Sequence, residues 1–279
     1  MFKGDMKYRR ENAIQKVWDA IEEHNGQTLL STGITGDDAR VAKAVVDGGI
    51  KLLEPNHPAV ALAKGHKGIT TMGEAEKIRH EITVEEMGDI VEGVRNVVGN
   101  EPFITIAIPG VFTELIPVEL SDEDFQLMAV KGADGLHTHK SDLSDLEKIV
   151  TKAHKYGLTV DAYIAHPDDE HKFGIPAETP EEVAKVAKQM EDIGVDMIGL
   201  MTGMSYEGVK AGEIPNVIKE RLDALVSTVK VPTLAEGGIN VDNYQAFRDT
   251  GVDILVVGTA IDDAVKEAAQ NMAKKFINI

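Results

Sequence analysis

Polar side chains recur where buried, strand-like segments of this sequence end. The segment GLHTHK carries His137 and His139, which are two residues apart and therefore on the same face of a strand. The segment VDAYIAH places Asp161 within an apolar run and His166 at its end. Two imidazoles near a carboxylate can act as acid and base or can bind a metal ion. Two alternatives remain open: one histidine points outward, or Asp161 forms a structural ion pair inside the fold.

Three further charged residues stand at strand ends. Glu54 precedes Pro-Asn-His, Glu236 directly precedes a Gly-Gly turn, and Lys140 follows His139. A carboxylate in such a position can abstract a proton next to a carbonyl or bind sugar hydroxyls, unless it points outward to a helix. A desolvated lysine can attack a carbonyl, although contact with an anionic substrate or a surface position explains Lys140 equally well. These residues predict acid/base chemistry next to a carbonyl.

Two glycine turns follow the last two strand-like segments, within VPTLAEGGINVDNYQAFRDTGVDILVVGTAI. Gly237 and Gly238 follow the first of these segments, and Gly258 and Thr259 follow the second. Turns of this kind at neighbouring parallel strands let backbone N–H groups and helix N-termini point at one anion. We expect them to bind a phosphate group, the alternative being that the glycines only allow tight turns.

Strand-like and helix-like segments alternate eight times along the chain, which predicts an α/β fold, a closed (β/α)8 or TIM barrel. An amphipathic segment over 8–25 is expected to cap the bottom of the barrel. Because no linker-like tract interrupts the chain, we predict a single domain over 1–279. Within the long interval between the second and third strands, the portion 63–81 is expected to form a lid or an oligomer contact. The predicted strands are 28–34, 50–56, 102–110, 133–140, 158–167, 196–202, 231–239 and 252–260.

The composition restricts the partners. The chain has 279 residues, a formal net charge of -18 and no cysteine. The negative charge argues against nucleic-acid and anionic-membrane partners, and the lack of cysteine excludes disulfides and thiolate nucleophiles. The sequence shows neither a signal-peptide core nor an apolar run long enough to span a bilayer. We therefore predict a cytoplasmic protein without a membrane or nucleic-acid partner.

The strand-end segments resemble those of the ribulose-phosphate-binding barrels of the orotidine-phosphate-decarboxylase suprafamily, in particular the hexulose-phosphate synthase and ketogulonate-phosphate decarboxylase branch. The resemblance implies that the two glycine turns hold the substrate phosphate. It also implies that Glu54 contacts substrate hydroxyls or helps to set the reaction centre, with Thr202 beside it and Gly203 next along the chain. The matching segments are KLLEPNHP, GADGLHTHKS, YGLTVDAYIAHP, GVDMIGLMTGMSYEG, LAEGGI and VDILVVGTAI.

Two strands depart from that branch. Its third strand carries an Asp-x-Lys-x-x-Asp pattern that supplies a magnesium ligand, whereas FITIAIPGVFTEL has no charged residue before Glu114. The first strand lacks the early aspartate of the branch and offers Ser31 and Thr32 as substrate-binding candidates. The resemblance therefore implies the fold and the phosphate site, but not the aldolase or decarboxylase reaction of the branch.

Three functions follow from these patterns. The leading hypothesis is an enzyme of carbohydrate metabolism, a carbon–carbon lyase or an isomerase, which acts on a phosphorylated sugar or sugar acid through an enediolate. The segment LAEGG also resembles N-acetylmannosamine-phosphate epimerases and matches their carboxylate to Glu236, so a metal-free epimerase or a histidine-biosynthesis-type isomerase is the second. The third is a non-catalytic barrel that binds a phosphorylated metabolite. No cofactor fingerprint is present, a divalent metal such as Mg²⁺ remains open, and the resemblance implies a homodimer or a higher homo-oligomer.

Overall fold

Eight parallel strands close into a barrel in this computed structural model, which describes residues 5–169, 172–202 and 214–277. The ring is closed because β1 pairs with β9 and β4 pairs with β5. A ninth strand of two residues, β6, pairs with the end of β5 outside the ring. The predicted (β/α)8 barrel is thus confirmed. The strands are β1 Thr28–Thr32, β2 Leu52–Glu54, β3 Phe103–Ile106, β4 Gly135–Thr138, β5 Thr159–Ala165, β6 Ile175–Pro176, β7 Met197–Met201, β8 Thr233–Glu236 and β9 Ile254–Val257.

Each strand is shorter than its predicted segment, and two of the strands end where a helix begins. The first strand stops at Thr32 because a helix begins at Ile34, and the last stops at Val257 because a helix begins at Thr259. The helices are α1 Met6–Glu23, α2 Ile34–Asp37, α3 Ala39–Asp47, α4 His57–Ala63, α5 Met72–Ala75, α6 Val84–Val98, α7 Asp122–Lys131, α8 Leu143–Lys155, α9 Pro180–Asp192, α10 Asn216–Thr228, α11 Tyr244–Arg248 and α12 Thr259–Ile277, with a 3₁₀ turn at Arg79–Glu81.

Helix α1 closes the amino-terminal end of the barrel, as predicted. Its buried residues belong to one apolar cluster with inward-facing side chains from the strands, among them Leu30, Leu52 and Phe103. The Arg9 guanidinium also donates a hydrogen bond of 2.6 Å to the Gly157 carbonyl. Side chains thus fill this end of the barrel in the described part of the chain, and in such barrels ligands bind at the carboxyl ends of the strands.

The segment between β2 and α6 lies over the carboxyl end of the barrel. Its anchor is Arg79, which is 2% exposed and donates to the Glu114 carboxylate at 2.6 Å and to the Thr113 carbonyl at 3.0 Å. The imidazole of His57, at the start of the same segment, lies 3.2 Å from the other oxygen of Glu114. This buried charge network fixes the segment as one wall of the pocket. An oligomer contact at this place stays a prediction.

Candidate active site

A cavity of about 510 Å³ opens at the carboxyl end of the barrel and joins two kinds of surface. One part of its lining is ionisable and comes from β2, from β4 with the residue after it, and from β8: Glu54, His137, His139 and Glu236. The other part is backbone-rich and comes from the turns after β8 and β9: Gly237, Gly238, Gly258 and Thr259. The structure therefore brings the predicted phosphate turns and most of the predicted catalytic residues into one pocket.

Asp161 lies behind His137 on the neighbouring strand. The register of β4 and β5 sets the two residues opposite each other, and Oδ2 of Asp161 lies 2.5 Å from Nδ1 of His137. The second oxygen, Oδ1, accepts a 2.5 Å hydrogen bond from the Thr105 hydroxyl on β3. A buried carboxylate requires such partners. Asp161 thus orients His137 and does not itself line the cavity.

The hydrogen bonds of the two imidazoles restrict their protons. Nδ1 of His139 lies 2.7 Å from the Phe173 carbonyl oxygen, which can only accept, so His139 carries a proton on Nδ1. Nδ1 of His137 likewise donates to the Asp161 carboxylate. The two Nε2 atoms lie 2.7 Å apart, so one of them donates and the other accepts. The pair therefore consists of one protonated and one neutral imidazole.

The charges around the two rings place the additional proton on His137. Burial alone would lower the pKa of His137, but the charges of Glu54, Asp161 and Glu236 outweigh it and raise this pKa to about 10. Burial and the charge of His137 hold the pKa of His139 well below its usual value. Burial raises the pKa of Glu54 to about 8, against the opposing charge of His137. The cluster thus contains a cation beside a carboxyl group that titrates near neutral pH.

Glu236 approaches both histidines from the opposite side of the barrel. Its carboxylate oxygens lie 3.6 Å from Nε2 of His137 and 3.9 Å from Nε2 of His139, and burial raises the pKa of this carboxyl group. The Tyr163 ring stacks on His139, with ring centroids 4.7 Å apart. Tyr163 is fully buried, and the interaction between its hydroxyl and the Glu236 carboxylate raises the pKa of the one and lowers that of the other, against the effect of burial on Glu236. Of the two residues, Glu236 lines the cavity.

The two glycine turns present backbone to the cavity. Gly237 and Gly238 have φ angles of 108° and 72°, in the left-handed region that glycine adopts without strain. At Gly258 an added Cβ would lie 2.8 Å from Cγ2 of Thr32. Helix α12 starts at Thr259, so the partial positive charge of its N-terminus lies at this end of the pocket. Asp262, in the first turn of α12, also lines the cavity, and its Oδ1 accepts a hydrogen bond from the Ile34 N–H at 3.2 Å.

Two predicted catalytic residues lie apart from this pocket. The Lys140 ammonium donates to the Phe112 carbonyl at 2.9 Å and lines a separate cavity of about 190 Å³. His166 is a third exposed, and its Nδ1 accepts a hydrogen bond from the Asp168 N–H. The structure therefore does not bring Lys140 or His166 to the cluster.

The predicted substrate-binding residues occupy different places. Thr32 lines the pocket and accepts a 2.7 Å hydrogen bond from the Asn56 amide. The Thr202 hydroxyl lies 2.8 Å from the Glu236 carbonyl and 3.1 Å from the Gly237 carbonyl, so it braces the first glycine turn. Ser31 is fully buried in β1. Gly203 lies outside the described residues.

Sequence reasoning missed several neighbours of the cluster. Tyr163 follows Asp161 by two residues on β5, so strand alternation signals that both face the same side. Thr105 is the one polar residue in the β3 sequence FITI, which is a similar signal. Phe112 and Phe173 contact His139 from loops, with ring centroids 4.5 and 5.2 Å away. Because loops have no periodic pattern of side chains, the sequence does not predict these two contacts.

Three side chains of the cluster carry atoms that could bind a metal ion. His137, His139 and Glu236 each offer one ligand atom, and these atoms all lie within 4.8 Å of one another. The magnesium position of the resembling branch does not fit, because β3 runs Phe103–Ile106 without a carboxylate. Any metal at this site is therefore held by other strands than in that branch.

The strand ends of this (β/α)8 barrel resemble those of the ribulose-phosphate-binding barrels, and the relatives that the chain is similar to include a member of that group. No family model matches the chain. The chain is 27% identical over 163 residues to thiamine-phosphate synthase of Methanobrevibacter smithii, covering 58% of this chain and 68% of that protein. It is 30% identical over 122 residues to 3-hexulose-6-phosphate synthase 1 of Staphylococcus saprophyticus, covering 41% of this chain and 56% of that protein. Of the two, the hexulose-phosphate synthase confirms the resemblance predicted from the strand ends.

A solved structure of 2,3-dimethylmalate lyase has the same fold. It superposes with a TM-score of 0.63 at 14% identity, covering 95% of this chain and 87% of that one. At this identity the likeness shows the fold alone.

Proposed function

We propose that this protein is an enzyme that acts on a phosphorylated sugar or sugar acid by moving a proton next to its carbonyl group, through an enediolate. The observation that carries the proposal is the single cavity that joins the two glycine turns to the cluster of Glu54, His137, His139 and Glu236. A phosphate held by the turns would orient the reacting end, and its binding energy would be used at that end. The similarity to a hexulose-phosphate synthase and a thiamine-phosphate synthase supports a phosphorylated substrate.

Glu54 is the proposed base. It is buried, it lines the cavity, and its pKa of about 8 lies near the working pH, where proton transfer is most effective. When Glu54 takes a proton from the carbon next to the carbonyl, the electron pair moves onto the carbonyl oxygen. The positive charge at His137, 3.9 Å from Glu54, would stabilise that oxyanion, and the burial of both side chains strengthens such an interaction.

Glu236 supports a second candidate within the same chemistry. It faces His137 from β8, whereas Glu54 faces the same ring from β2, so two carboxyl groups flank one position. An epimerase or an isomerase of phosphorylated amino sugars needs two such groups, one to remove a proton and one to return it. Carbon–carbon cleavage would need only one. The substrate whose carbon-bound proton exchanges with solvent would distinguish epimerisation or isomerisation from carbon–carbon cleavage.

Solvent-proton exchange tests the proposal directly. Protein in D₂O is incubated with pentose, hexose, hexulose and amino-sugar phosphates, and deuterium uptake at the carbon next to the carbonyl is followed by NMR. Thermal shift with the same compounds reports binding separately, because a ligand of the native state raises its apparent stability. Binding without exchange would identify the non-catalytic barrel. Failure of every sugar phosphate to bind would reject the function and the phosphate site together.

We also propose that the protein forms a homodimer through α12. None of the described residues of this helix, 259–277, is buried, and its apolar residues recur on one side. Its first turns carry Asp262 and Asp263 and its last turn Lys274 and Lys275, so antiparallel pairing of two copies places unlike charges at both ends. The apolar stripe consists of Val265, Ala268, Ala269, Met272 and Phe276.

The location of the protein is less constrained. No helix in the described part of the chain combines the length and the apolar character that a membrane span requires. The cytoplasmic location stays a prediction.

A further inference from the structure

Both histidines of the cluster are held through one ring nitrogen and present the other to a common point. Nδ1 of His137 is bound to Asp161, and Nδ1 of His139 is bound to the Phe173 carbonyl. The two Nε2 atoms lie 2.7 Å apart, and the Glu236 carboxylate lies 3.6 and 3.9 Å from them. Three donor atoms from two sides of the barrel therefore converge on one small volume.

This arrangement is typical of metal-binding histidines. Such a histidine usually donates its other N–H to a carboxylate or to a backbone carbonyl, which fixes the ring and its tautomer. Here one histidine has each kind of partner. Catalytic zinc sites commonly combine two histidines and one glutamate with a fourth position left for water or substrate.

The distances require only a small adjustment. Two nitrogens bound to one tetrahedral zinc ion at about 2.0 Å are roughly 3.3 Å apart, so the rings would separate by about 0.6 Å. His137 and His139 are 1% and 3% exposed, whereas the side chain of Glu236 is 18% exposed and lies at the cavity. An ion could thus enter from the cavity and find the two imidazoles already oriented.

We infer that His137, His139 and Glu236 bind a divalent transition-metal ion of the zinc class, with one coordination position open to the cavity. Two imidazole nitrogens select zinc or cobalt over magnesium, which prefers oxygen ligands and retains its water. Glu54, 3.9 Å from Nε2 of His137, stands beside the open position and is not needed as a ligand.

The binding of the ion rests on the donor geometry alone, and only its use rests on the proposed function. Binding of such an ion would displace the proton from Nε2 of His137, so the ion would replace the imidazolium as the positive charge that polarises a carbonyl oxygen. Glu54 would still move the proton. The interpretation therefore remains testable without any substrate.

The test is metal binding to the full chain after removal of metals with a chelator. Calorimetry with Zn²⁺, Mn²⁺ and Mg²⁺, and visible absorption with Co²⁺, measure stoichiometry, affinity and coordination geometry. We expect one Zn²⁺ or Co²⁺ per chain, a tetrahedral or five-coordinate Co²⁺ spectrum, and no competition from Mg²⁺. The variants His139→Ala and Glu236→Gln should each lose roughly 100-fold or more in affinity, beyond the effect of removing an outer partner.

His166→Ala is the matched control, because His166 lies near the barrel mouth but outside the cluster. The metal affinity of this variant should equal that of the native protein. His139→Gln repeats the test with a side chain of similar size if the alanine variant unfolds, and circular dichroism reports the fold of each. The inference is overturned if the folded, stripped protein binds neither ion, or if binding survives in both His139 variants. A protein that binds zinc but exchanges no substrate proton rejects only the proposed function. One that exchanges the proton without binding a metal rejects only this inference.

Discussion

Asp161 and His137 face each other across β5 and β4, and Oδ2 of the carboxylate lies 2.5 Å from Nδ1 of the imidazole. The other oxygen is held by the Thr105 hydroxyl, so the carboxylate has little freedom to turn. This contact directs Nε2 of His137 toward His139 and the cavity. Asp161 is therefore a positioning residue, although its place in a strand also fitted a purely structural ion pair.

Asp161→Asn should weaken the cluster without unfolding the barrel. An amide presents either an oxygen or an NH₂ group to Nδ1, and the ring loses its charged partner. We expect zinc affinity to fall about 10- to 100-fold, with kcat reduced and KM nearly unchanged. Thr105→Val should act in the same direction and more weakly. The ¹⁵N chemical shifts of His137 provide a direct readout, and unchanged shifts in Asp161→Asn would contradict the positioning role.

Glu54→Gln should abolish proton transfer while preserving binding. A general base contributes about 10² to 10⁴ in rate, so deuterium exchange into the substrate should fall by that factor. Thermal shifts with the same sugar phosphate should stay close to those of the native protein. The matched control is Glu86→Gln, which removes a carboxylate paired with Lys64 on the outer surface. Equal exchange rates in Glu54→Gln and native protein would exclude Glu54 as the base.

Gly258→Ala should impair recognition of the phosphate. The new methyl group would lie 2.8 Å from Cγ2 of Thr32, so the turn after β9 has to move. Overpacking of this kind costs about 1–3 kcal/mol, which corresponds to roughly tenfold weaker binding or more. Gly93→Ala is the control, because nothing lies within 4 Å of its added Cβ. The phosphate site is wrong if Gly258→Ala weakens the unphosphorylated sugar as much as the sugar phosphate.

Glu114 should make the stability of the protein sensitive to acid. Burial opposes its ionisation, but the hydrogen bonds and charges of His57 and Arg79 bring its pKa down to about 2, from an ordinary value of 4.5. Burial lowers the pKa of His57, so Arg79 remains the charged partner at neutral pH. Because the folded pKa is the lower one, the stabilisation is complete above about pH 4.5 and is lost as the pH falls toward 2.

The expected loss from this group is about 3 kcal/mol at most, measured by urea unfolding at several pH values between 7 and 2.5. Glu114→Gln should be less stable at pH 7 and should lose this part of the pH dependence. Glu119→Gln changes an exposed carboxylate a few residues along the chain and should follow the native curve. If the free energy of unfolding of Glu114→Gln changed with pH as that of the native protein does, the ionised Glu114 would not stabilise the fold.

Substitutions on the apolar stripe of α12 should produce a monomer. Met272 and Phe276 are 53% and 73% exposed, and a glutamate at either position would bring carboxylates into an apolar contact between two copies. Light scattering coupled to gel filtration measures the mass of each variant. Gln270→Glu adds the same charge on the opposite side of the helix and should leave the dimer intact. A native protein that is monomeric at high concentration would reject this interface.

Short stretches of the sequence determined the strands, the turns and the faces on which several site residues lie. Alternating segments specified eight strands, strand periodicity set His137 and His139 on one face, and the paired glycines marked the turns after β8 and β9. These features depend on backbone geometry within a few residues, so they can be deduced from the order of residue types.

Only the tertiary structure decided which of these residues meet. Glu54 and Glu236 are 182 positions apart in the chain, yet both reach His137 because barrel closure brings β2 and β8 to the same mouth. The partner of His139 is a backbone carbonyl at Phe173, in a loop whose path no periodicity describes. Strand register and loop paths arise from packing over the whole barrel. The order of residues therefore predicted the candidate groups, and the barrel selected the few that share a pocket.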